Sequence, residues 1–180
     1  MKITTFSNIP KFTRDGNFQQ DMPIERLPAW IETEQKNGLQ LCPDFQRGHV
    51  WTTAQQVAFI EYLLRHGKSG RTLYFNCPDY TRVVKTGSYQ EFLCVDGLQR
   101  ITAILKFLNN EIMAFGSFFC EFTDTLSMFE DTIVIKVNNL PSREAVLQWY
   151  IEMNSGGTPH SDDEIERVKD LLLQEKRKKF

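Results

Sequence analysis

The apolar run Phe92-Leu93-Cys94-Val95 stops at Asp96-Gly97 and gives way at once to Ile101, Ile104, Leu105 and Leu108, which fall at helical i, i+3, i+4, i+7 spacing. A short buried strand must therefore turn directly into a helix. The turn holds an acid, a glycine, an amide and a guanidinium: Asp96, Gly97, Gln99 and Arg100. The first turn of a helix offers free N–H groups and the positive end of its dipole, a setting that favours an anion. Glycine lets backbone approach a ligand closely, and arginine grips phosphate or carboxylate with a two-pronged fork. The combination points to a nucleotide or phosphate site. The alternative is a plain turn, with Asp96 capping the helix and Arg100 solvated.

The chain has 180 residues, enough for one domain (1–180) with a core. A formal net charge of -2 does not announce a broad basic face for duplex DNA, although a local patch remains open. Cys42, Cys77, Cys94 and Cys120 show no short paired spacing, so a zinc or redox motif is not expected. Three of them sit beside strand-like apolar residues and read as buried free thiols. No apolar stretch approaches the ~20 residues of a membrane span and no signal peptide opens the chain, so the expected setting is a reducing cytoplasm, with no membrane partner.

Short strands interleave with helices along the chain. Residues 1–21 read as an extended arm or edge strand, Pro23 to Lys36 as a helix stopped by Asn37-Gly38, and Leu39 to Leu41 as a strand. A helix capped by Thr52 or Thr53 ends near His66-Gly67, and Thr72 to Phe75 reads as a strand. Beyond the central strand-turn-helix, strands are expected at Ile112–Phe115, Phe118–Phe122 and Thr132–Val137. A helix bearing Val146, Trp149, Tyr150 and Met153 follows, then a last helix behind a Ser161-Asp162-Asp163-Glu164 capping box, and a basic tail over 174–180. Several strands lie too close together for crossover helices. The expected class is α+β, a mixed sheet with flanking helices.

Three polar segments break the local pattern, and each immediately precedes an expected helix: Phe45 to Trp51, Asp96 to Arg100, and Asn154 to Ser161. Asn154, Ser155, Thr158 and the glycines Gly156 and Gly157 suit a backbone nest around phosphates, or simply a helix stop. Taken in order, Pro43-Asp44-Phe45-Gln46-Arg47-Gly48-His49-Val50-Trp51, Val95-Asp96-Gly97-Leu98-Gln99-Arg100-Ile101-Thr102-Ala103-Ile104 and Met153-Asn154-Ser155-Gly156-Gly157-Thr158-Pro159 resemble the motifs of the GmrSD-type N-terminal domain family. That family is placed in the ParB/sulfiredoxin-like superfamily, whose members bind nucleotides at a comparable strand-turn-helix. The family hallmark is Asp-Gly-Gln-Gln-Arg (DGQQR), and Leu98 replaces its first glutamine here. Relatives often carry an HNH-type nuclease domain C-terminal to this one. None is expected after Leu173.

The resemblance implies a nucleoside-triphosphate-binding domain and an NTPase dependent on Mg²⁺ or Mn²⁺, serving DNA restriction, phage defence or counter-defence. It implies that Arg47 and Arg100 reach the phosphates, with Gln46 lining the site, while Gly97 and the amides from Leu98 cradle the chain of phosphates. Asp96 would ligate the metal or orient an attacking water, and Gln99 would position that water or hold a phosphate oxygen. Asn154, Ser155, Gly156 and Thr158 would close the other side. DNA and a nuclease or other defence-system protein are the implied partners. The alternative is a non-catalytic DNA- or protein-binding module, for instance an inhibitor of a defence complex. Direct nuclease action is disfavoured, because only Asp96, Glu91 and the 162–164 acids are available for a metal pair. Plainer roles stand beside these: Arg47 pairing with Asp44, Arg100 pairing with Asp96 along its helix, Trp51 in the core, and His49 and His160 as ordinary surface histidines.

Overall fold

Alternating side chains of a strand point to opposite faces, so a strand that is apolar throughout must be covered on both sides. Phe92–Asp96 (β4) is such a strand: Phe92, Leu93, Cys94 and Val95 are all buried. In the computed structural model, which describes residues 2–14, 16–46, 48, 50–81, 87–126, 130–154 and 162–178, β4 sits one strand in from the edge of a five-stranded mixed sheet. The other strands are β1 (Phe18–Pro23), β2 (Leu39–Gln40), β3 (Thr72–Asn76) and β5 (Thr132–Asn138), in the order β1-β5-β3-β4-β2. Antiparallel pairs (β1 with β5, β3 with β4) alternate with parallel ones (β3 with β5, β2 with β4), as the α+β expectation required.

Phe92 and Cys94 join Leu73 and Phe75 of β3 and Ile133, Ile135 and Val137 of β5 on one face. The helices α1 (Leu27–Lys36), α2 (Thr53–Leu64) and α3 (Leu98–Leu108) cover it with Leu27, Ile31, Ile60, Leu63, Ile101, Ile104 and Phe107. Leu93 and Val95 point the other way, into a smaller core with Val146, Leu147, Trp149 and Tyr150 of α4 (Arg143–Asn154) and Val168 and Leu172 of α5 (Asp162–Arg177). Phe45 belongs to this second core, fully buried with its ring edge-on to Tyr150 at 5.3 Å.

The early elements follow their local signals. Residues 18–23 form the edge strand, a single 3-10 turn (Ile24–Arg26) precedes α1, and Thr52 caps α2 in a reciprocal box with Gln55. The capping box expected at Ser161 lies outside the described residues, as do residues 82–86. α5 itself runs through Lys176 and Arg177.

Two expectations are corrected. Ile112–Phe115 and Phe118–Phe122 are not strands: they form one isolated bridge, Ala114 with Ser117, and a 3-10 turn at Phe119–Glu121. Phe115 and Gly116 both take positive φ, and side chains then claim the amides that a ladder needs. Phe118 N–H donates to Glu121 Oε2 at 2.6 Å and Cys120 N–H to Asn110 Oδ1 at 2.8 Å. The apolar residues that suggested strands instead surround Phe107, with the rings of Phe119 and Phe122 edge-on to it at 5.5 and 6.1 Å. The cysteines are also less buried than expected. All four are free thiols, but only Cys94 is buried, while Cys42 and Cys120 are exposed. Among the described residues no helix is long and apolar enough to cross a membrane.

Phe45→Ala is expected to lower the unfolding free energy by about 3–5 kcal/mol, because it empties the junction between β4, α4 and α5. Urea denaturation measures this, and a loss below about 1 kcal/mol would show that Phe45 does not hold the second core together.

Candidate functional site

The strand-turn-helix is as the sequence required: β4 ends at Asp96, Gly97 is the N-cap, and α3 begins at Leu98. Gly97 has φ +130°, and a Cβ built there would lie 2.7 Å from Leu73 Cδ2. Conformation and close packing both exclude a side chain. Because the cap is glycine, the N-cap residue offers no side chain to the first amides of α3. The alternative with Asp96 as the cap does not hold.

Arg100 is not solvated either. Its side chain is 15% exposed; one guanidinium nitrogen donates to Thr72 O at 2.7 Å and Gly70 O at 3.2 Å, and another to Asp96 Oδ2. Arg100 thus ties α3 to β3 and holds the Asp96 carboxylate in place. Asp96 remains 41% exposed, an acid presented beside uncapped helix amides.

Gln99 faces the irregular segment. Its Oε1 accepts from Val50 N–H at 3.0 Å and Trp51 N–H at 3.1 Å, and its Nε2 donates to Gly48 O at 3.2 Å. Gln46 makes the reciprocal connection: its Nε2 donates to Cys94 O at 2.8 Å and Val95 O at 2.5 Å. The short β2 pairs only with Phe92 and Leu93, so Gln46 satisfies carbonyls of β4 beyond its reach. Trp51 is half-buried against the ring of Phe59.

Two arginines that local pattern did not single out secure the same segment. Arg143, at the start of α4, places one nitrogen 2.5 and 2.7 Å from the two oxygens of Asp44 and lies 3.7 Å from both Glu91 and Glu175. Arg167 of α5 donates to Asp44 O at 3.2 Å and Phe45 O at 2.9 Å. A charged residue on a helix normally reads as solvated, so only the length of arginine and the nearby acids hinted at this. The Arg143 hydrogen bond holds the Asp44 carboxyl below its ordinary value of 3.8, against the opposing effect of burial. Behind the turn, burial pushes the Cys94 thiol well up, with the Asp96 charge adding to it, so it is no nucleophile.

Gln46, Asp96, Gly97, Leu98, Gln99 and Arg100 therefore meet at one place. Asn154 ends α4 one turn beyond Tyr150, the ring partner of Phe45, and donates to Tyr150 O at 2.7 Å. Arg47, His49, Ser155, Gly156, Gly157, Thr158 and His160 lie outside the described residues, and with them the convergence of Arg47 on Arg100. Among the described residues no three His, Cys, Asp or Glu side chains group to hold a metal ion. A Mg²⁺ at Asp96 fits the other common arrangement, one carboxylate with phosphate oxygens and water completing the shell.

The family model described as GmrSD restriction endonuclease, N-terminal domain, matches residues 30–138, more than half of the chain. The chain belongs to this family, which associates it with restriction and phage defence. The matched span takes in the first two motifs and ends before the third. No curated protein and no solved structure matches the chain.

Gly97→Ala is expected to cost about 1–3 kcal/mol of stability, from backbone strain and the clash with Leu73, read by urea denaturation. An unchanged midpoint would refute the close approach. Asp44 has a depressed folded pKa, so its pairing stabilises the fold above about pH 4 and that contribution drains away as pH falls through the folded value. Asp44→Asn should flatten the acid side of the stability profile, and an identical profile would remove the pair from the account.

Proposed function

We propose that the Asp96–Arg100 turn binds the phosphates of a nucleoside triphosphate with a divalent cation. The observation that carries this reading is an uncapped α3 N-terminus, preceded by a residue that must be glycine and by an exposed carboxylate. Backbone amides from Leu98 onward would hold phosphate oxygens, and Asp96 would hold Mg²⁺ or Mn²⁺ directly or through water. Bound there, the cation would neutralise charge on the phosphates. Arg100 and Gln99 then act through others: Arg100 orients Asp96, and Gln99 holds the 48–51 backbone beside the site. Arg47, Asn154, Ser155, Gly156 and Thr158 are assigned to the pocket on the family motifs alone. The same resemblance supports a ParB/sulfiredoxin-like fold and action with DNA and a nuclease or other defence-system protein, while the free cysteines support a cytoplasmic setting.

Turnover of the triphosphate is the first reading, with Asp96 in the central role. A second is favoured by a specific observation. Leu98 stands where the family has its first glutamine, and the Gln99 amide is committed to the 48–51 backbone at both ends. Neither motif position then supplies an amide to orient water, which suits a non-catalytic nucleotide-sensing or inhibitory module.

Calorimetric titration with each nucleoside triphosphate and Mg²⁺ should give binding that Asp96→Asn weakens, and phosphate release should fall about a hundredfold or more in that variant. Binding without release would favour the non-catalytic module. No binding by any triphosphate would end the proposal.

A further inference from the structure

Two unpartnered surfaces lie toward opposite ends of β5. Past Asn138 lies the arm over residues 2–14, with Ile3, Phe6, Ile9 and Phe12 at every third position, all exposed. Phe6 and Phe12 are 87% and 76% exposed, an unusual display of large rings for a surface with nothing to cover. The arm carries three cations, Lys2, Lys11 and Arg14, and no acid. It is not loose at its inner end. Thr13 N–H donates to Glu152 Oε2 at 2.8 Å, and Asn138 Nδ2 donates to Arg14 O at 2.7 Å.

Ahead of Thr132, at the other end of β5, a cavity of about 250 Å³ is lined by Phe107, Phe115, Phe119 and Phe122, with Asp124 and Asp131 among its polar walls. The stretch 121–131 holds four acids, Glu121, Asp124, Glu130 and Asp131, and no base. Its aromatic wall already receives a cation: the Arg65 guanidinium lies 5.1 Å from the centre of the Phe115 ring. Among the described residues Lys11 and Asp124 form no ion pair, so each is an unmatched charge beside an unmatched apolar surface.

We infer that the Lys11-Phe12 end of one copy's arm seats in the Phe107/Phe115/Phe119/Phe122 cavity of a second copy, with Lys11 against Asp124. Phe12 supplies a ring to a site walled by rings, where edge-to-face contacts are favoured, and Lys11 beside it is opposite in charge to Asp124 at the cavity. The contact must be between copies. β5 spans about 20 Å from Thr132 to Asn138, whereas Phe12 is only two residues from the anchored Arg14, a reach of about 7 Å. Such a contact joins different patches of the two copies, so it closes as a two-fold dimer if the arms are exchanged reciprocally and extends head-to-tail into rings or filaments if they are not. This assembly is independent of the nucleotide reading.

Sedimentation velocity of the full chain over a concentration series tests it. Mass should rise with concentration; Lys11→Glu and Asp124→Lys should each weaken association about tenfold, and the double charge swap should restore it. Phe12→Ser should abolish it. All three positions are exposed, and circular dichroism confirms that the variants fold. A monomer at every concentration overturns the inference. So does association that the single reversals leave unchanged, or that the double swap fails to restore.

Discussion

Two side-chain amides hold the site in shape. Gln46 reaches from the irregular segment to the last carbonyls of β4, and Gln99 reaches back from the first turn of α3 to the backbone at 48, 50 and 51. A segment that is neither helix nor strand has backbone groups with no regular partners, and each one buried without a partner costs free energy. The glutamines supply those partners. Gln46 also removes an edge problem, because β2 stops two residues along β4 and would otherwise leave the neighbouring carbonyls without a partner on that side. Phe45 anchors the same segment from below, between α4 and the sheet.

This arrangement changes how the polar residues of the turn are understood. Three of its four conspicuous groups look inward. Arg100 is spent on two carbonyls and Asp96, Gln99 on a loop, and Gly97 on clearance from Leu73. What faces outward is an acid and a helix terminus without a cap. Groups already held by these bonds need no further ordering, which would lower the cost of binding a ligand there. The same bonding also makes the junction sensitive to distant substitutions. Arg143 and Arg167 lie on α4 and α5, yet they hold Asp44 and Phe45, the residues immediately before Gln46.

Legibility in the sequence was greatest where one signal dominated. β4 and α3 were readable because an apolar run and a 3.6-residue period meet at a glycine, and α2 because Thr52 and Gln55 form a box. The segment from Ile112 to Phe122 misled because apolar content measures burial, not hydrogen-bonding partner. Its rings gather around Phe107, Phe119 half-buried and Phe122 exposed, while Asn110 and Glu121 take the amides of a would-be ladder. At the turn, the sequence could not say which groups would be consumed internally. Arginine and glutamine are equally able to bind a phosphate or a carbonyl, and the choice depends on which atoms lie within reach.

The sequence by itself determined the alternation of short strands and helices, the glycine at the strand-to-helix junction, and membership of the family whose motifs it carries. Those features rest on periodicity, backbone sterics and residue order, all local properties. Tertiary structure alone decided that Asp44 pairs with Arg143, that Gln46 and Gln99 clasp one another's segments, and that Arg100 closes on β3. These contacts join residues ~30 to 100 positions apart, and hydrogen bonds last only over about 3 Å, so no local pattern encodes which partner is met.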